Sequence, residues 1–370
     1  MKRQIRVLML VPNLRVSNGV VSFAMNYFRS LDRSKVHMDF ALYNDIPTPY
    51  YNEIKALGSN YYVLPSIKHA FQHFYECKRI LKGGKYDILH DNTLLISIPL
   101  MLEAKQMGVP VRLLHSHNSK LGETAKKEMR NRFFSSLLMK TATDYAACSE
   151  LAAKALIADK EYHFIPNVVL AKRLSYQTEK RNEIRQMMNV KDRIVIGSVG
   201  RLAEQKNPLF ALDVISALVK IEPSIEYWWI GSGPLDKDFE QAIAERKLQK
   251  YVRQLGSRED VPDLYQAMDI FFLPSLFEGL PVTSIEAQAM GLPCVISDSV
   301  TNELVYTDLV DFVSLNKPIE VWVNALRNQM NRIVCRRSYL KELQTSAFSS
   351  VNAGNYLTNL YDALLFGSDQ

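Results

Sequence analysis

Short runs rich in β-branched and aromatic residues alternate with longer helical patterns along this 370-residue chain, and the alternation starts twice. The first series predicts strands over residues 6–11, 38–43, 61–64, 87–90, 111–115, 145–148 and 163–165, with helical patterns between them. The second predicts strands over 194–199, 225–230, 251–255, 270–273 and 293–297. Strands separated by helices give parallel sheets covered on both faces, and two such series in a chain this long predict two domains. Between them, residues 169–192 are dense in Lys, Arg, Glu, Gln and Asn with little apolar periodicity, so the junction is expected near 168–190. The expected division is 1–170, 171–345, and a terminal segment 346–370 whose amphipathic helix carries Tyr356, Leu357, Leu360, Tyr361 and Leu364 on one side. No repeat of fixed period is present, which excludes a solenoid.

Composition supports a folded chain: 47% hydrophobic and 23% charged residues lie far from the signature of disorder. Net charge is +6 but uneven, with 23 Lys and Arg against 14 Asp and Glu before residue 171 and 22 against 25 after it. The basic half reads either as an ordinary solvated surface or as a face toward something anionic. Cys77, Cys148, Cys294 and Cys335 are widely spaced, which gives neither a zinc-site nor a disulfide framework and fits a reducing cytosol. The start Met1-Lys2-Arg3 is basic, but the apolar run after it is broken by Pro12 and reads as a first strand. The longest uncharged apolar stretch, residues 94–102, is about half the roughly 20 residues a membrane span needs, so any membrane contact is expected to be peripheral.

Open parallel sheets bind ligands beyond the carboxyl ends of their strands, so chemistry is expected on the strand-to-helix loops. One such loop contains Gly200, Arg201 and Lys206 before Asn207-Pro208, read as a helix N-cap and first position. Two cations five residues apart beside a glycine turn can clamp a pyrophosphate and neutralise charge as it leaves. The loop after 270–273 carries Glu278, Gly279, Leu280 and Pro281, with Glu286 in the helix that follows. Two carboxylates can fix a polyhydroxylated ligand at two points.

The order and spacing of Gly200-Arg201-Leu202…Gln205-Lys206-Asn207 and of Glu278…Glu286 resemble the two signatures of glycosyltransferase family 4, retaining enzymes of the GT-B fold. That resemblance implies two Rossmann-like domains facing each other across a cleft, with the second as the nucleotide-sugar donor domain and the terminal helix crossing back to the first. It implies that Arg201 and Lys206 hold the diphosphate, Glu278 contacts the transferred sugar, Glu286 bonds the ribose, and Gly279, Leu280 and Pro281 turn backbone amides to the donor. In the first half, Ser17-Asn18-Gly19 is similar to the family's glycine loop, with Asn18 where a first glycine is usual, so Gly19 is a candidate for donor phosphate. His117, supported by His115 two residues before it on the same side of a strand end, reads as a structural histidine or as one that bonds a sugar hydroxyl or shuttles a proton. The resemblance favours His117 as the residue near the reacting sugar. Gly231 and Gly233 read equally as a tight turn or as a contact to the nucleotide.

Asp236-Lys237-Asp238 lies where acids complement a helix start, so no metal and no cofactor are expected. The segment 120–139 mixes Lys126, Lys127, Arg130 and Arg132 with Phe133, Phe134, Leu137 and Leu138, and reads as a core helix with a basic face or as a helix meeting an anionic membrane. The expected function is transfer from a UDP-hexose or UDP-N-acetylhexosamine to a saccharide or lipid-linked acceptor in cell-surface polysaccharide synthesis, in the cytoplasm at the inner membrane face. A noncatalytic nucleotide-sugar binder and a sugar-nucleotide epimerase or hydrolase are the alternatives. No nucleic acid is expected as partner, and a dinucleotide-dependent oxidoreductase is disfavoured because no G-x-G-x-x-G follows a strand.

Overall fold

The computed structural model describes residues 3–16, 18–122, 125–330 and 336–367; Met1, Lys2, Ser17 and Cys335 lie outside the described residues. The chain forms two compact units, Met1–Val168 with Ser350–Gln370, and Val169–Ser349.

The first unit holds a seven-stranded sheet of β1 (Ile5–Val11), β2 (Val36–Leu42), β3 (Tyr61–Val63), β4 (Ile88–Asp91), β5 (Val111–Ser116), β6 (Asp144–Ala147) and β7 (His163–Phe164). The order is β3-β2-β1-β4-β5-β6-β7 and every pairing is parallel. The second unit holds β8 (Ile194–Val199), β9 (Ile225–Ile230), β10 (Val252–Gly256), β11 (Ile270–Leu273), β12 (Cys294–Ser297) and β13 (Val310–Val313), ordered β10-β9-β8-β11-β12-β13 and again parallel. Helices on both faces explain why the central strands are almost continuously apolar. All six residues of β9 are buried, Trp228 and Trp229 among them. Burial of an apolar side chain contributes about 1.5–3 kcal/mol of transfer free energy, while the buried Glu226 of β9 is held by ion pairs with Arg193 and Arg253.

In both sheets the strand order reverses once, between β1 and β4 and between β8 and β11. The loops leaving those neighbouring strands diverge and open a crevice beyond their carboxyl ends. This places the loops after β8 and β11 side by side, and likewise those after β1 and β4.

Three expectations need correction. The polar stretch after residue 169 contains a helix, Thr178–Met187, fastened by charge: Arg181 and Arg185 both pair with the buried Asp269 and donate to carbonyls of residues 266–268. Apolar periodicity could not reveal a helix that is held by guanidinium groups. The second sheet also gains β13, absent from the predicted strands because Val310-Asp-Phe-Val is short and carries an acid. Asn207 does precede the helix Pro208–Leu218, but with φ 53° and no side-chain capping bond, so it acts as a left-handed corner. Asn tolerates that conformation better than most residues.

Candidate active site

In the second unit the two loops at the reversal meet. Lys206 Nζ lies 2.7 Å from Glu278 Oε1, with side-chain exposures of 14% and 8%, and Gln205 Nε2 donates to Glu278 Oε2 at 3.1 Å. The backbone ties the loops as well, Leu276 N donating to Gln205 O at 2.8 Å. The sequence reading gave Lys206 to a diphosphate and Glu278 to a sugar as separate contacts. Here they form one sheltered ion pair, so an anion drawn to Lys206 competes with Glu278, or shares the ammonium with it.

The glycines make this approach possible. Gly200 has φ 158°, and a Cβ built there would lie 2.7 Å from Lys206 Cε, so the lysine stem lies across the bare backbone. A Cβ on Gly231, at φ 135°, would lie 2.1 Å from the Gly200 carbonyl oxygen, and one on Gly233 2.2 Å from that of Leu202. Trp229 Nε1 donates to Gly200 O at 3.0 Å, fixing the same turn from below. Gly231 and Gly233 are therefore accounted for by loop-on-loop packing within the second unit. Arg201 is exposed at the end of β8.

Gly279 and Leu280 are buried in the loop, and Pro281 stands immediately before the helix Val282–Ala289. Glu286 sits one turn into that helix, where Tyr265 donates its hydroxyl to Oε2 at 3.0 Å. Burial raises this carboxyl from 4.5 to about 7, opposed by the Tyr265 bond and the Arg173 charge. Two hydroxyls beside these acids were missed by the sequence reading: Ser275 and Thr283 flank Glu278, and among the described residues their buried oxygens have no hydrogen-bond partner. Serine and threonine are too common in loops to be singled out by type alone.

In the first unit, Gly19 opens the helix Gly19–Ser30, and a Cβ there would meet nothing within 4 Å. Asn18 has φ −100° and caps the helix, its Oδ1 accepting from Val20 N at 3.0 Å. Where a first glycine is usual, the backbone thus needs no positive φ, and asparagine serves there as the helix cap.

The ends of β4 and β5 gather His90, His115 and His117. His115 and His117 have ring centroids 4.0 Å apart, and the Phe23 ring packs edge-to-face with both, its centroid 4.8 Å from each. His90 Nε2 is 3.1 Å from His115 Nδ1, the Tyr361 hydroxyl is 2.8 Å from His90 Nδ1, and His117 Nε2 is 2.8 Å from Asn92 Oδ1. Burial pushes His90 and His117 down to about 3 and His115 well below its usual range. The rings are held neutral, which favours hydrogen bonding over the proton-shuttle option. His90, Asn92 and Tyr361 were not legible as partners, because they come from three distant stretches of chain.

Asp236 opens the helix Asp236–Glu245 and accepts from Gly233 N at 3.0 Å and Gln254 Nε2 at 3.2 Å. Among the described residues, no group of three or more His, Cys, Asp or Glu side chains is placed to hold a metal ion. Among them, too, no helix is long and apolar enough to cross a membrane.

Two parallel Rossmann-like sheets flanked by helices define the GT-B architecture. A solved structure of Anabaena HepE in complex with UDP-glucose superposes with a TM-score of 0.80 over 97% of this chain and 100% of that one, at 17% identity. Residues 193–330 match the family described as glycosyl transferases group 1. The protein named "Putative glycosyltransferase EpsF" in Bacillus subtilis is 31% identical over 357 residues, 93% of each chain. The Escherichia coli UDP-Gal:alpha-D-GlcNAc-diphosphoundecaprenol alpha-1,3-galactosyltransferase is 29% identical over 67% of each. The chain belongs to the glycosyltransferases and carries their group 1 domain.

Proposed function

We propose that this glycosyltransferase moves a hexose or N-acetylhexosamine from UDP to a saccharide or lipid-linked acceptor in the synthesis of a cell-surface polysaccharide, with retention at the anomeric carbon and without a metal. The observation that carries the reading is the sheltered Lys206–Glu278 pair on the bare backbone of Gly200, with Glu286 on the helix Val282–Ala289 and Tyr265 bonded to it from the helix Val261–Ala267. An ammonium beside a glycine turn suits a diphosphate leaving group, and its stabilisation grows as the glycosidic bond breaks. Arg201 at the end of the same strand adds a second cation. Carboxylates at Glu278 and Glu286 suit hydroxyls of the sugar and the ribose. Gly19, at a helix N-terminus, suits a phosphate oxygen. The HepE complex with UDP-glucose and the galactosyltransferase named for UDP-Gal and a diphosphoundecaprenol acceptor favour UDP and a lipid-linked acceptor.

The test is turnover of a UDP-sugar panel in EDTA, with the anomeric configuration of the product read by NMR. Turnover that requires an added divalent cation contradicts the metal-free part; an inverted product contradicts retention. Release of free sugar alone in the presence of every acceptor tried favours a hydrolase. Binding without any turnover favours a noncatalytic binder.

We place the chain at an anionic membrane face through the helix Ala125–Met139. It carries Lys126, Lys127, Arg130 and Arg132, and it exposes Met129 at 71%, Phe133 at 76%, Phe134 at 43% and Leu137 at 43%. Exposed rings among lysines and arginines suit the boundary of anionic lipid. Co-sedimentation with vesicles containing phosphatidylglycerol is expected for the wild type and weakened in Phe133→Ser; equal sedimentation of both contradicts the placement.

A further inference from the structure

The hydrogen-bond network around His117 fixes which of its nitrogens carries the proton. Asn92 Nδ2 donates to the Leu10 carbonyl at 3.1 Å and to the His90 carbonyl at 3.2 Å. Turning the amide over would set its oxygen against both carbonyls, so Oδ1 is the atom that faces His117 Nε2 at 2.8 Å. An amide oxygen only accepts, and so Nε2 is the donor. The lone pair is then on Nδ1, which is buried and, among the described residues, has no hydrogen-bond partner.

The ring is held in place as well as in tautomer. His115 packs against it at 4.0 Å, and Phe23 closes on both rings. His115 is tied through His90 to Tyr361, which the helix Ala353–Phe366 brings back into the first unit. A neutral imidazole held this way offers its acceptor in one direction.

We propose that Asn92 is a positioning residue that locks His117 as the Nε2–H tautomer, so that His117 meets its substrate as a hydrogen-bond acceptor at Nδ1 and receives a hydroxyl group. A sugar or acceptor hydroxyl fits that demand, whereas a phosphate or carboxylate would face a lone pair. The assignment rests on the reading of His117 as the residue near the reacting sugar.

The experiment is long-range proton–nitrogen correlation NMR on the full chain labelled with 15N-histidine, with His117→Gln used to identify the His117 signals. From about pH 6 to 8, His117 is expected to show a protonated Nε2 and an unprotonated Nδ1. Asn92→Ala is expected to release it to a mixture of tautomers. Adding a UDP-sugar with its acceptor is expected to shift Nδ1 upfield, as a lone pair that accepts a hydrogen bond does. In turnover, Asn92→Ala is expected to lower kcat about tenfold, the effect of one neutral hydrogen bond, with the KM for donor little changed. A protonated Nδ1 in the wild type, or an unchanged tautomer in Asn92→Ala, overturns the positioning role. An Nδ1 signal that does not move with substrate overturns the hydroxyl contact. If Asn92→Ala does not fold, the wild type alone still decides the tautomer. The tautomer is read without turnover, so a failed transferase reading leaves this arm intact.

Discussion

Lys206 and Glu278 are too close and too sheltered to be treated as independent contacts. Removing Lys206 strands a carboxylate whose side chain is 8% exposed, and breaking a pair of this kind costs on the order of 3 kcal/mol. Lys206→Ala is therefore expected to lose stability as well as activity, with kcat falling roughly 10²–10³-fold. The double variant Lys206→Ala/Glu278→Ala is expected to be more stable than additivity predicts, because neither charge is left alone. Denaturant unfolding of the four proteins of this cycle reads the coupling, and strict additivity would contradict the pairing. Glu286 gives a pH-dependent counterpart. Its carboxyl is raised to about 7 in the fold, so its favourable protonated state contributes below the unfolded value of 4.5 and is lost as pH rises through 7. Glu286→Gln, measured by thermal unfolding without ligand, is expected to gain on the wild type between pH 5 and 8. The gain is on the order of 2 kcal/mol after discounting for the side chain's partial exposure.

Elements with strong apolar periodicity were legible: residues 194–199, 225–230 and 270–273 form strands with the predicted bounds, and the terminal helix spans Ala353–Phe366. Those held by other forces were not, as the guanidinium-fastened helix Thr178–Met187 and the short, acid-bearing β13 show. The same division applies to the site. Gly200, Lys206, Glu278 and Glu286 could be singled out because their loops adjoin strand ends, while Asn92, His90 and Tyr361 became visible only once β4, β5 and the last helix were in place. Sequence spacing cannot report which loop an ammonium will reach, and the single reversal of strand order beside β8 does. The terminal helix also yields a sharp expectation. A Cβ on Gly354 would lie 1.8 Å from the Ser30 carbonyl oxygen, a backbone atom that cannot swing away. Gly354→Ala is expected to destabilise the first unit by about 1–3 kcal/mol despite alanine's better helix propensity. An unchanged melting temperature would mean that the helix does not pack against Ser30 in this way.

At the scale of the whole chain, the two units differ in how they should respond to acid. The first buries His90, His115 and His117 as neutral rings. A histidine depressed in the fold contributes stability above its unfolded value near 6.5 and loses it as pH falls toward the folded one. At pH 5 the loss for His90 alone is about 2 kcal/mol. The first unit is expected to unfold before the second as pH drops from 7 to 5, which amide hydrogen exchange resolved by segment can follow. Loss of protection in β8 to β13 ahead of β1 to β7 would contradict it.

Ligand-dependent thermal shift with UDP-, GDP- and ADP-sugars in EDTA, on the wild type and on Lys206→Ala, tests the donor site directly. A shift with UDP-sugars in the wild type that is lost in a folded Lys206→Ala protein is the predicted result. No shift with any nucleotide sugar in folded wild-type protein, or an equal shift in both proteins, would contradict a donor site built on Lys206 and Glu278.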